Sequence, residues 1–210
     1  MNTPNSTTTS LRMVQRCKAL AAVAAAAILC GCAHPLSIGP DIAKIERGAG
    51  VQPLDKNVGY YIAPDVRERA VTTPGGGGDA VTYAPYKDME AALYKMLGNV
   101  FKGVTRLKSP TDTDAIAKNS ISYVISPEIR TDSSSPSPFT WPPTVFFVTL
   151  TCNIADTSGK IVASPTVTAT GRAEFEEFKS DFSLSGKRAG LDAMLQMQET
   201  LLRLPELKAP

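Results

Sequence analysis

The sequence predicts an α+β fold, a two-layer sandwich in which two amphipathic helices pack on one face of a mainly antiparallel sheet of about four strands. Three observations predict it. Apolar residues recur every three or four positions across residues 88–104, and again across residues 186–204. Residues 144–154 and 160–178 alternate apolar and polar side chains on either side of the turn Asp156-Thr157-Ser158-Gly159. A hairpin with one apolar face needs that face covered, and two helical stripes suffice to cover it.

Residues 33–56 mix Pro35, Gly39, Pro40, Gly48, Gly50 and Pro53 with isolated apolar side chains, which reads as a flexible tether. A helical turn over residues 41–46 is too short to hold by itself. Residues 58–63, Val-Gly-Tyr-Tyr-Ile-Ala, are aromatic and β-branched and stop at Pro64, the pattern of a strand. Thr72-Thr73-Pro74 and the four glycines Gly75 to Gly78 read as a mobile loop, since ordering successive glycines is costly. A phosphate cradle is the alternative reading, disfavoured because the next residues, Asp79-Ala80-Val81, lack the Lys-Ser/Thr pair.

The first helix, residues 88–104, places Met89, Leu93, Met96, Leu97, Val100, Phe101 and Val104 on one face, with Asp88 as its N-cap. A short strand is expected over residues 104–107, then one over 121–125 ending near Pro127. The long hairpin comes next. Phe146, Val148, Leu150, Cys152 and Ile154 share one face of its first strand; Val167, Ala169, Gly171, Ala173 and Phe175 share one face of its return, with threonines on the wet side. The second helix, residues 186–204, is capped by Ser185 and stopped by Pro205.

The N-terminal segment carries the most specific signal. Arg12, Arg16 and Lys18 precede an uncharged apolar run of 11 residues, Ala19 to Leu29, and then Cys30-Gly31-Cys32. Eleven residues fall short of the roughly 18 to 20 that cross a bilayer as a helix. Cleavage before Cys30 would put bulky Leu29 where a small residue is needed, and cleavage at the alanines of residues 24–27 would strand two cysteines on a soluble tail. Leu29 to Cys32 resembles the lipobox of bacterial lipoproteins. That resemblance implies cleavage after Gly31, a diacylglycerol on the Cys32 thiol and an N-acyl chain on its new amino group, the two attachments that stable anchoring requires. By the resemblance to outer-membrane lipoproteins, Ala33 rather than Asp after the cysteine implies sorting to the periplasmic face of the outer membrane. The chain then divides into a signal peptide (1–31), a lipidated tether (32–56) and one α+β periplasmic domain (57–210).

Cleavage changes the charge. It removes three of the 22 Lys and Arg and none of the 20 Asp and Glu, so the net charge falls from +2 to −1. A nucleic-acid partner or a polybasic membrane patch needs clustered positive excess, which is absent. Cys17 and Cys30 leave with the signal and Cys32 is acylated, so Cys152 is left unpaired and is expected to be buried.

Little chemistry is visible. The lone histidine, His34, sits on the expected tether, where an imidazole is not held against a catalytic or metal partner. Glu174, Glu176 and Glu177 crowd a strand end, and Asp88 and Glu90 start a helix; neither group implies the facing pair that a glycosidase needs. No cofactor is expected. The unusual segment is 131–144, with a run of three serines, four prolines, Phe139 and the only tryptophan, Trp141. Phe139 and Trp141 either fold back to cap the sandwich or, with Pro142 and Pro143, form a stiff aromatic contact for a partner protein or lipid. The element order resembles small outer-membrane lipoprotein domains such as the lipopolysaccharide-assembly lipoprotein, which implies two helices on one sheet and no transferable site. The expectation is a non-enzymatic lipoprotein that binds or assists an envelope protein complex through Phe139, Trp141, Pro142 and Pro143; the alternative is a carrier of a lipid or other apolar ligand between helices and sheet.

Overall fold

The computed structural model describes residues 33–137 and 139–208, so the expected signal peptide and Cys32 lie outside the described residues. The fold is α+β. A six-stranded sheet runs in the order β5 (Phe101–Arg106), β2 (Leu54–Tyr60), β6 (Ile121–Ser134), β7 (Val145–Asp156), β8 (Ile161–Ala163), with β9 (Thr166–Arg172) also paired to β7. A second, three-stranded sheet is ordered β1 (Ala33–Pro35), β4 (Ala80–Tyr83), β3 (Val71–Pro74).

The two main helices form where the periodicity places them. α2 (Pro85–Val100) and α5 (Leu184–Arg203) cover one face of the large sheet, joined by the short helices α1 (Pro64–Arg67), α3 (Thr113–Lys118), α4 (Phe175–Phe178) and α6 (Pro205–Lys208). Met89, Leu93, Met96 and Leu97 of α2, and Met194 and Met197 of α5, meet Phe146, Leu150, Cys152 and Ile154 of β7 in one fully buried core. Cys152 is free and buried, as the cysteine count requires.

Several boundaries differ from the sequence expectation, each for a local reason. α2 starts at Pro85, whose fixed φ suits the first helical position, so Asp88 lies in the first turn rather than at the cap. It ends at Val100, and Phe101 and Val104 belong to β5. β2 begins four residues earlier than expected and ends at Tyr60. β6 runs through Pro127 to Ser134: β2 pairs with it only as far as Ile125, so no neighbour on that side needs the missing N–H. The hairpin return breaks at Ser164-Pro165, and Phe175 opens α4 with its side chain half-exposed instead of continuing the core face. Ser183 takes the cap position of α5, while Ser185 is buried and donates to the Pro143 carbonyl at 2.6 Å.

The large sheet is mainly antiparallel, as expected, with parallel pairings at its β5 edge. β2 is parallel to both β5 and β6, and the β6, β7 and β9 pairings are antiparallel. The chain leaves β2, crosses through α2 and returns as β5, a connection that makes neighbouring strands parallel.

Residues 33–56 are not a flexible tether. Ala33 to Pro35 pair in parallel with Ala80 to Thr82, and Ile38 and Ile45 are fully buried. The Ile38 N–H donates to Asp88 Oδ2 at 3.0 Å. Asn99 Nδ2 donates to the Ile45 carbonyl and to Gln198 Oε1, Gln198 Nε2 donates to the Glu46 carbonyl, and Arg47 holds the carbonyls of Gly98 and Asn99 at the end of α2. This belt uses single apolar knobs and backbone carbonyls, so it shows neither of the periods that mark a helix or strand. Residues 33–56 therefore belong to the folded domain rather than to a tether before residue 57.

Candidate functional site

The side chains that the sequence marks as unusual converge at one end of the large sheet, beside the first described residue. β1 holds His34 opposite Val81 of β4, and its imidazole stacks on Trp141, with ring centroids 4.1 Å apart and planes 25° from parallel. Trp141 in turn meets Phe182 at 4.9 Å, tilted by 56°. Asp79 Oδ2 lies 3.8 Å from His34 Nε2, with both side chains partly exposed. His34 is thus fixed within the fold, which corrects the expectation that it swings free.

The glycine turn is packed rather than mobile. Gly75 donates its N–H to the Asp79 carbonyl and Gly76 donates to the Trp141 carbonyl, both at 2.9 Å. A Cβ on Gly75 would collide with the Trp141 carbonyl oxygen and one on Gly76 with that of Thr140, so glycine lets the two loops approach backbone to backbone. Gly77 and Gly78 then take left-handed φ values of 67° and 88° to close the turn.

The four expected contact residues divide. Pro142 and Pro143 are buried, and Trp141 is partly buried against the core. Phe139 is 94% exposed, its N–H held by Ser137 Oγ at 3.2 Å. The capping reading therefore holds for Trp141 and the exposed reading for Phe139. Two further phenylalanines that sequence reasoning missed join this end: Phe182, 45% exposed, and Phe175, 51% exposed. Phe175 packs edge-on against buried Phe178, with Lys179 Nζ 4.7 Å from its ring centroid. An open depression of about 430 Å³ lies between the 135–144 loop and α4, lined by Pro136, Thr140, Val145, Ala173, Phe175 and Phe178. Phe182 stands among Ser, Asp and Lys, with no apolar period to single it out.

The carboxylates of this end are engaged in holding the fold. Glu174 and Glu177 cap α4 reciprocally, and Glu177 also receives Arg188 in a two-pronged pair at 2.8 and 3.0 Å. The Arg188 hydrogen bonds, helped by the Glu174 N–H, pull the Glu177 carboxyl down to about 2. Glu176 pairs with Lys179 at 2.8 Å. On the opposite flank Glu90 gathers Arg67 at 2.6 Å, Arg106 at 3.2 Å and Tyr60 at 3.3 Å, a cluster that the sequence does not reveal because its members come from four elements. Burial pushes the Asp88 carboxyl up and the Cys152 thiol up to about 12, which leaves that thiol protonated and unreactive.

The face of the large sheet away from α2 and α5 carries Thr149 beside Thr168 and Thr151 beside Thr166, paired through their hydroxyls at 3.1 and 2.8 Å, with Phe147 partly exposed.

No protein-family model matches the chain, and no curated protein sequence matches it. Among solved structures, a Xanthomonas campestris protein of the DUF330 family is similar at a TM-score of 0.46 and 14% identity, over 80% of this chain and 89% of that one. A minor lipoprotein of Acinetobacter baumannii is similar at 0.41 and 14%, over 70% and 92%. A candidate lipoprotein of Caulobacter crescentus is similar at 0.30 and 11%, over 48% and 84%; all three likenesses are distant.

Proposed function

We propose that the chain is a non-enzymatic lipoprotein, anchored through Cys32 to the periplasmic face of the outer membrane, which serves as a binding or accessory subunit of an envelope protein complex. The observation that carries this reading is the absence of slack between lipobox and fold: β1 begins at Ala33, the residue after Cys32. One residue spans at most about 3.5 Å of chain, so an acylated Cys32 holds the domain against the bilayer instead of letting it reach outward. A domain fixed there meets membrane proteins, not distant soluble ones.

The interior favours binding over catalysis or carriage. His34 is committed to Trp141, Cys152 is protonated in the core, and the acidic side chains named above are paired or capping. The space between helices and sheet that a lipid carrier would use is filled: α5 lies so close on β9 that a Cβ on Gly171 would collide with the Ser185 carbonyl oxygen. With Pro142 and Pro143 buried, the surface proposed for a protein partner is the exposed threonine face of β7 and β9.

The test is photocrosslinking in intact cells from a reactive residue at Thr149. Adducts with an envelope protein are expected, and they should disappear when Cys32→Ser removes the acylation site. A folded, membrane-bound chain that yields no protein adduct from this face would sink the accessory-subunit reading.

A further inference from the structure

We propose that the end of the domain bearing Phe139, Trp141, Phe182 and Phe175 is a lipid-contact surface that rests in the headgroup layer of the bilayer, a noncovalent attachment beside Cys32. The inference deepens the anchoring reading and rests on it.

Three features converge. Phe139, Phe175 and Phe182 are each 45% exposed or more, an unusual display of apolar surface for one end of a water-facing domain. All three belong to the connections at the β7 start, within the segments 135–144 and 173–183. The same end holds His34, two residues past Cys32, stacked on Trp141 that touches Phe182. His34, two positions after Cys32 in sequence, is thereby held beside this end, and an acyl chain on Cys32 entering the bilayer would bring the exposed rings to the interface.

The side chains suit that depth. Aromatic rings with a polar partner settle at the headgroup level, where one end is apolar and the other wet, and the Trp141 and His34 pair is of that kind. Lys179 lies against the Phe175 ring and pairs with Glu176, an apolar stem under a charged tip. The surrounding charges are balanced, with Arg188 on Glu177 and Lys187 on Asp181. This favours zwitterionic lipid and an attachment that salt does not release.

The structure supplies its own control. β7 runs away from this end for 12 residues, and Ile161, exposed and paired with Ala155 near the far end, stands roughly 33 Å along the strand from Val145 at a rise of about 3.3 Å per residue. The mature lipidated chain is prepared as Phe139→Cys, Phe175→Cys or Ile161→Cys, labelled with a thiol-reactive fluorophore and reconstituted into phosphatidylcholine vesicles doped with a nitroxide-headgroup lipid. Buried Cys152 does not compete for the label. Flotation with the vesicles and severalfold stronger quenching at positions 139 and 175 than at 161, unchanged by salt, are expected. A chain that floats but is quenched equally at the three positions overturns the lipid-contact surface and leaves the anchor standing, as would a protein partner that covers these rings instead. A chain that fails to float overturns both.

Discussion

His34 lies flat on Trp141, its centroid 4.1 Å from that of the indole, so the first residues of the fold are clamped by a loop more than a hundred positions away in sequence. Stacked aromatic pairs contribute about 0.5–1.5 kcal/mol beyond their buried area. His34→Ala should lower the unfolding free energy by an amount in that range and alter the emission of Trp141, the only indole in the chain. Phe139→Ala, at a site 94% exposed, should stay within about 0.5 kcal/mol of wild type. Denaturant titration followed by Trp141 fluorescence measures both; equal losses would contradict the division of the loop into a clamped tryptophan and a free phenylalanine.

Gly171 and Gly98 should respond oppositely to the same change. A Cβ at 171 meets the backbone of α5 at Ser185 and Ala189, and the overpacking should cost about 1–3 kcal/mol. Gly98 lies within α2 with open space around the added carbon, so Gly98→Ala should stabilise by roughly 0.5–1 kcal/mol. Thermal unfolding of the two variants gives the signs directly.

The belt hangs on Asn99. Its amide donates to the Ile45 carbonyl and to Gln198 Oε1, both in the interior. Asn99→Leu leaves those acceptors without their donor and should cost about 1–3 kcal/mol. Hydrogen exchange should show the loss first at Gln198 and along residues 38–47, and a uniform rise across the domain would argue against a belt held locally.

Glu177 gives the fold part of its acid sensitivity. Its folded pKa, about 2, lies below the ordinary 4.5, so its contribution to stability is present above pH 4.5 and is lost as pH falls from 4.5 towards 2. Glu177→Gln should flatten the stability curve in that window and leave its slope near neutrality unchanged. The site faces solvent, so the effect is modest and shrinks with added salt.

Cys152 should ignore thiol reagents in the native protein. Burial alone raises its pKa to about 12, and every neighbour on its strand face is apolar. Reaction with a disulfide reagent at pH 8 should proceed at the rate of unfolding, and a faster, denaturant-independent reaction would contradict its place in the core.

The parts of the fold legible in the sequence are those with a period. α2, α5 and the faces of β7 and β9 emerge from spacings of three, four and two, down to Cys152 pointing inward. The belt was not legible, because Ile38 and Ile45 are buried singly and their neighbours are fixed by Asp88, Asn99 and Gln198 from the helices. Nor were the two parallel pairings of β2: Val58 and Tyr60 look alike whether their neighbours run parallel or antiparallel. For the candidate site, the rarity of tryptophan and the prolines around it single out the 131–144 loop, yet only the fold shows that His34, Asp79 and Phe182 are neighbours of Trp141.

The belt across α2 and α5 gives this protein a mechanical character. With the proposed acyl anchor at Cys32, a tug that a slack linker would absorb would pass through residues 33–47 into the junction of both helices. Under that proposed anchor, membrane undulation would be felt at Asn99 and Gln198, and the domain would ride the lipid surface as a stiff body that turns with its footing.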